Sequence, residues 1–195
     1  MVKKIPAPVI KVLQELNKKG FEAYIVGGCV RDLIMDRVPK DWDIATSAQP
    51  EEVQKLFPDS FYENEFGTVG VKVEKFLSNG NPEREHDVIE VTTYRIESKY
   101  SDKRRPDKVK FAKTLEEDLS RRDFTMNAIA LGVHNSDFDI VDPYKGQKDI
   151  QKKTIRTVGD SHERFDEDAL RMMRAIRFHA ELGFAIEKNT FAAIE

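Results

Sequence analysis

Two carboxylates one residue apart, Asp41-Trp42-Asp43, stand a short helix's length after the run Gly27-Gly28-Cys29-Val30-Arg31-Asp32. On a β-strand, residues i and i+2 point to the same face, about 6.6 Å apart along it. That spacing suits two side chains converging on hard divalent cations, which prefer oxygen ligands. Gly27 and Gly28 leave backbone N–H groups bare and Arg31 adds a guanidinium, so a polyphosphate could be held beside the metals. The fold must therefore bring a glycine turn, a short helix and a strand edge to one place. A metal pair facing a triphosphate is the equipment of nucleotidyl transfer, in which one ion lowers the pKa of an attacking hydroxyl and the other supports the leaving pyrophosphate.

The rest of the chain predicts an α+β fold. Val9, Val12, Leu13 and Leu16 recur at helical spacing before Gly20. Ala23 to Val26 reads as a buried strand, Val30 to Met35 as a short helix and Trp42 to Ala45 as the next strand. Pro50, with Glu51 and Glu52, opens a helix ending before Pro58. Phe61 to Asn64, Thr68 to Lys75 and Asp87 to Arg95 read as strands, and Thr114 with Glu117 forms a capping box for a further helix. Asp142 to Gly146 reads as a loop and Ile155 to Val158 as a last short strand. From Phe165 to Gly183 the pattern is wholly helical. Asn189 to Glu195 opens another helix without a closing cap, which reads as a piece of a longer helical region.

Composition sets limits. With 195 residues, 39% of them hydrophobic, the chain suffices for one domain, or one plus part of another. A net charge of −3 gives no global nucleic-acid footprint, so any basic surface is local. Cys29 is the single cysteine, which excludes a disulfide framework and a cysteine zinc site and fits a reducing compartment. Beside the glycine turn it reads as a small buried residue. No apolar run is long enough to span a membrane, and Met1 to Pro8 lacks the apolar stretch and cleavage site of a secretion signal. The expectation is a soluble, cytoplasmic protein.

A second constellation is Glu167-Asp168-Ala169-Leu170-Arg171-Met172-Met173-Arg174-Ala175-Ile176-Arg177-Phe178. On one continuous helix, Leu170, Met173 and Ile176 form an apolar stripe and Arg171, Arg174 and Arg177 an adjacent cationic one. Like charges three residues apart repel mildly, so they suggest anionic company. A surface helix with an ordinary Asp168–Arg171 salt bridge explains the same spacing. The functional reading is more specific. A carboxylate accepts from the exocyclic amino group of cytosine or adenine while a guanidinium donates to the neighbouring ring acceptor. Guanine and uracil place a carbonyl oxygen there, so an Asp–Arg pair selects C and A without a template.

A third is Arg121-Arg122-Asp123-Phe124-Thr125-Met126-Asn127-Ala128. Asp123 or Thr125 would cap a following helix; alternatively, Arg122 binds phosphate and Asp123 a ribose hydroxyl. Lys99 to Lys108 is the most basic stretch, either a solvated loop or a mobile element contacting substrate. His86, His134, His162 and His179 show no ligand spacing. There is no phosphate loop ending in Gly-Lys-Ser/Thr and no Gly-x-Gly-x-x-Gly run, so hydrolase and dinucleotide-binding readings lose their main support.

In this order, the Gly27–Asp32 and Asp41–Asp43 motifs, Arg121–Ala128 and Glu167–Arg171 resemble those of bacterial class II tRNA nucleotidyltransferases, the CCA-adding enzymes, which share head and neck with bacterial poly(A) polymerases. The resemblance implies a nucleotidyltransferase head over residues 1–145, built on a mixed β-sheet, and a helical neck over 146–195. It implies two Mg2+ ions on Asp41 and Asp43, with Glu90 matching the family's third carboxylate. Nucleotide contacts fall on Gly27, Gly28, Arg31, Arg122, Asp123, Asp168, Arg171, Arg174 and Arg177. Arg104 and Arg105 fall in the loop that helps switch from C to A addition. The implied substrates are CTP, ATP and the tRNA 3′ end. A-adding or CC-adding enzymes and poly(A) polymerase are the neighbouring readings, and a non-catalytic nucleotide- or RNA-binding module is the reading from another class. Asp36 stands where many members have glycine, which predicts a strained but workable cap.

Overall fold

The computed structural model describes residues 5–64, 67–76, 86–98, 108–134 and 137–195. Arg104 and Arg105 lie outside them, as does most of the basic stretch. Helix α1 (Ala7–Lys18) buries Val9, Val12, Leu13 and Leu16, the apolar stripe seen in the sequence. Strand β1 (Ala23–Val26) runs through a turn at Gly27 into α2 (Gly28–Ile34). Asp36 closes the next turn at φ 61°, the left-handed geometry predicted for it. Then come β2 (Asp43–Thr46), α3 (Pro50–Leu56), β3 (Ser60–Asn64), β4 (Thr68–Glu74) and β5 (His86–Thr93). A hairpin of β6 (Arg95–Ser98) and β7 (Lys108–Phe111) leads to α4 (Leu115–Ser120), whose Thr114–Glu117 capping box is formed.

After a single 3-10 turn (Thr125–Asn127) the chain makes β8 (Ala130–His134) and β9 (Asp137–Val141), then α5 (Gly146–Gln151) and β10 (Thr154–Ile155). The last elements are α6 (Ser161–Glu167), α7 (Leu170–Leu182), β11 (Ala185–Ile186) and α8 (Lys188–Ala192). Seven strands form one sheet in the order β3-β4-β5-β2-β1-β8-β9. Its β2–β5 pair is parallel and the other pairs are antiparallel, so the sheet is mixed and the fold is α+β, as predicted. The main core packs α1, α2 and α3 on Ile25, Ile44, Val69 and Val91. A smaller core on the opposite face packs Leu115 and Leu119 of α4 on Val26, Ala45 and Ala130. At about 1.5–3 kcal/mol per fully buried aliphatic side chain, the larger face carries most of the stability. The smaller one leaves β5, β4 and β3 uncovered by α4.

Three sequence expectations fail. No helix follows Asp123: Thr125 Oγ1 donates to Asp149 Oδ2 at 2.7 Å, and the chain turns once and enters β8. The expected Phe165–Gly183 helix is broken at Asp168, which is extended (φ −144°, ψ 104°). Its Oδ1 accepts from Leu170 N at 2.9 Å and its carbonyl from Arg171 N at 3.0 Å, so the aspartate ends one helix and starts the next. The apolar stripe of α7 is also reversed. Leu170, Met173 and Ile176 are 47%, 63% and 47% exposed, and the buried face is Arg171, Ala175 and Phe178. Glu167 supplies the buried Arg171 with a charge partner, and Phe178 packs edge-on against Phe124, their centroids 5.9 Å apart. Tertiary partners outweigh helical apolar periodicity here.

Candidate active site

Gly27 has φ 80° and ψ −138°, a conformation open to glycine and costly for other residues. A Cβ there would lie 3.1 Å from Arg122 Nη1 and 3.5 Å from Asp43 Oδ2. The bare turn therefore lets a guanidinium and a carboxylate approach it together. Asp43 is the first residue of β2 and pairs in register with Glu90 of β5, whose N–H donates to Trp42 O at 3.1 Å. Directly paired residues project to one face, so the two carboxylates are neighbours across the sheet. Asp41 is not on the strand, contrary to expectation: it sits in the bend before it and is exposed. Cys29 is buried as predicted, its thiol donating to Val26 O at 3.1 Å, and burial pushes its pKa up to about 12.

A cleft of about 900 Å3 opens between this turn and α7. Gly27, Gly28, Arg31, Asp41, Asp43, Arg122, Asp123, Asp168, Arg171, Arg174 and Arg177 all line it. Glu90 does not; it adjoins through Asp43. Eight Lys or Arg side chains and six Asp or Glu face the cleft, so its wall is densely charged with both signs. Among the described residues no three of His, Cys, Asp and Glu come together as a group that could hold a metal ion by themselves. An open carboxylate set of this kind fits Mg2+, which retains waters and takes substrate phosphates as ligands.

The arginines are fixed by acids behind them. Asp118 is 1% exposed; its Oδ1 lies 2.9 Å from Arg121 Nη2 and its Oδ2 3.0 Å from Arg122 Nη2. Burial works to raise the Asp118 pKa, but the Arg122 and Arg121 guanidiniums outweigh it and hold the carboxyl below its usual range. Arg31 donates through Nε and Nη2 to Asp32 Oδ1 at 2.9 and 2.8 Å and through Nη1 to Asn127 Oδ1 at 2.9 Å. On the α7 side, Glu167 Oε2 accepts from both Arg164 and Arg171 at 2.8 Å. Asp168 Oδ2 lies 4.0 Å from Arg171 Nε, so the expected pair is adjacent but flanks the start of α7 rather than sharing one helix face. Phe178 has the guanidinium carbons of Arg31, Arg174 and Arg177 at 5.2, 5.4 and 5.2 Å from its ring centre, within cation–π range.

Over residues 23–156 the sequence matches the poly A polymerase head domain. The chain belongs to this family. It is 54% identical over 185 residues to a CCA-adding enzyme of Bacillus cytotoxicus, covering 94% of this chain and 43% of that protein. The fold superimposes on the Bacillus stearothermophilus CCA-adding enzyme in complex with CTP with a TM-score of 0.80 at 42% identity, covering 97% of this chain and 43% of that one. A tRNA nucleotidyltransferase complexed with a primer tRNA and an incoming ATP analog gives a TM-score of 0.72 at 31% identity, over 94% and 48% of the two chains. The chain thus spans less than half the length of the relatives it matches.

Sequence reasoning gave no role to Asp118, Asn127, Glu167 and Phe178. An acid three or four residues before an arginine pair, as Asp118 stands to Arg121 and Arg122, was the available signal for the first. Nothing local marked Asn127, whose partner Arg31 lies 96 residues away, and Phe178 gathers Arg31 from α2 as well as Arg174 and Arg177 of its own helix.

Proposed function

We propose that this chain carries the catalytic site of a CCA-adding tRNA nucleotidyltransferase, adding C and A from CTP and ATP to the 3′ end of tRNA without a template and releasing pyrophosphate. One observation supports this above the rest: the Asp43–Glu90 cross-strand pair abuts a cleft whose facing wall is Asp168, Arg171, Arg174 and Arg177. Carboxylates for metal and cations for phosphate and base thus share one space. The division of labour is a head over 1–145 and a neck over 146–195. The chain matches relatives named as CCA-adding enzymes over 94–97% of its length, which supports the same reading.

Asp41 and Asp43, with Glu90 adjoining, would hold two Mg2+ ions, which when bound activate the attacking hydroxyl and offset charge on the leaving pyrophosphate. The other roles belong to the chain. The Gly27–Gly28 turn lets the phosphates approach the backbone, and Arg31 and Arg122, pre-oriented by Asp32, Asn127 and Asp118, balance their charge without reorganising. Asp123 accepts from the ribose. Asp168 accepts from the amino group of C or A, while Arg171, set by Glu167, donates to the adjacent ring acceptor; Arg174 and Arg177 complete the cationic wall. Arg104 and Arg105 act as the loop that switches between C and A addition. No described helix is long and apolar enough to cross a membrane, and a tRNA substrate supports the reading of a cytoplasmic protein.

The test is incubation with Mg2+, CTP, ATP and a tRNA lacking its terminal CCA, followed by sequencing of the products. Addition of C, C and A in order is expected. Addition of A alone or C alone reassigns the chain to a partial-activity enzyme, and no extension by folded protein removes the proposal.

A further inference from the structure

Resting on the nucleotidyl-transfer reading, we propose that the open sheet face beyond Glu90, with the rings of Phe61 and Phe111, is a stacking platform for the terminal bases of the acceptor RNA. In an in-line displacement the attacking and leaving oxygens lie on opposite sides of the transferred phosphorus. The triphosphate belongs in the cleft, on the Gly27 and Arg122 side of Asp43. The attacking hydroxyl must then come from the other side, where Glu90 sits outside the cleft lining.

The strand register shows what lies there. Glu90 pairs with Gly70, and Gly70 with Phe61, so Asp43, Glu90, Gly70 and Phe61 form one row across four strands on one face. Gly70 has no side chain, and the tip of the Phe61 ring occupies its place, with Cζ 2.5 Å from where a Cβ would be. Three residues earlier, Gly67 gives way to Phe111, whose Cε1 lies 2.8 Å from its missing Cβ. Between the two rings, Thr68 and Thr92 pair through their hydroxyls at 3.1 Å. The rings remain 39% and 44% exposed. Two partly exposed aromatic side chains whose rings meet bare backbone beside the reaction centre offer stacking surface rather than a hydrogen-bond code.

This chemistry fits a single-stranded acceptor. At the first step its last base is whichever nucleotide precedes the added sequence, and at the next two it is C, so the subsite must accept more than one base; aromatic stacking does so because every base has a π-face. A subsite that read one base by hydrogen bonds would fail when that base differs.

The experiment uses an RNA acceptor-stem hairpin with 2-aminopurine as its 3′-terminal base, whose fluorescence falls on stacking, and in parallel CTP binding by calorimetry. Phe61→Leu and Phe111→Leu fill the space over the glycines without a π-face, and Phe61→Trp and Phe111→Trp keep one. Quenching by wild type and the Trp variants is expected, with about fivefold or greater loss of hairpin affinity and recovery of fluorescence in each Leu variant. CTP affinity should stay within twofold throughout. Leu variants that quench and bind like wild type, or a wild type that does not quench, overturn the platform. Quenching that depends on the two rings in a protein that binds no CTP would instead overturn the nucleotidyl-transfer reading and leave the platform standing.

Discussion

Arg174, on α7, places Nε and Nη2 each 2.7 Å from Oδ2 of Asp123, on the segment between α4 and the 3-10 turn. The other Asp123 oxygen accepts from Phe124 N at 2.8 Å and Asn127 Nδ2 at 3.2 Å. One carboxylate thus ties the helical wall of the cleft to its floor. Each oxygen already faces two donors, so a ribose hydroxyl on Asp123 would compete either with Arg174 or with Phe124 N and Asn127.

Asp123→Ala is expected to narrow the preference for ribo- over deoxynucleotides by about threefold to tenfold, the worth of one hydrogen bond of about 0.5–1.5 kcal/mol. Incorporation of CTP and dCTP measured side by side decides it. An unchanged ratio leaves Asp123 as a tie to Arg174 and nothing more.

Acid stability should follow Asp118 and Asp123. Burial raises both pKa values, yet their arginines outweigh it: Arg122 and Arg121 for Asp118, Arg174 for Asp123. Both folded pKa values lie below the unfolded aspartate value of about 3.9. The folded state therefore binds fewer protons, and these groups contribute fully above that pH and progressively less as pH falls through their folded values. Urea unfolding between pH 6 and pH 2 should show stability falling in the acid range, with a shallower fall in Asp118→Asn. At neutral pH, Asp118→Ala should cost about 3 kcal/mol, because it leaves two largely buried guanidiniums without their acid.

Asp43→Ala and Asp41→Ala should each lower incorporation by roughly a thousandfold or more, as metal-borne charge stabilisation is worth several kcal/mol at about 1.36 kcal/mol per tenfold. Thermal melting should move little, since Asp41 is exposed and Asp43 partly so. Near-wild-type incorporation by either variant would remove the two-metal assignment.

CTP and ATP should bind more tightly than UTP and GTP, by roughly tenfold to hundredfold for an unpaired buried polar contact of about 1–3 kcal/mol. Asp168→Asn keeps an acceptor for Leu170 N but offers an amide donor, so it should shift affinity toward UTP and GTP while preserving the start of α7. Calorimetry of the four nucleotides with Ca2+, a metal chosen to bind without turnover, is the measurement. Equal affinities in wild type would assign selection to some other element.

Gly27→Ala should lower stability by about 1–2 kcal/mol through its positive φ. It should lower kcat/KM further than that loss explains, because the new methyl lies against Arg122 and Asp43. A loss of activity no larger than the loss of folded protein would separate the turn from the site.

The sequence by itself determined what is local. The α1 stripe, the capping box at Thr114 and β1 ending in a glycine turn depend on neighbours within a few residues, where periodicity and capping chemistry act. Through the resemblance of its motifs it also pointed to about half of the residues that line the cleft, among them Asp43, Arg122, Asp168 and Arg171. Tertiary structure decided the rest. Glu90 became the partner of Asp43 only through the parallel pairing of β2 with β5, a register set by a crossover of some forty residues. Helical periodicity alone turned Leu170, Met173 and Ile176 inward; Glu167, Asp123 and Phe124 turn Arg171, Arg174 and Phe178 inward instead. A buried charge follows its partner rather than its hydropathy: Glu167 stands four residues from Arg171, whereas Asp123 and Phe124 reach α7 only through the fold.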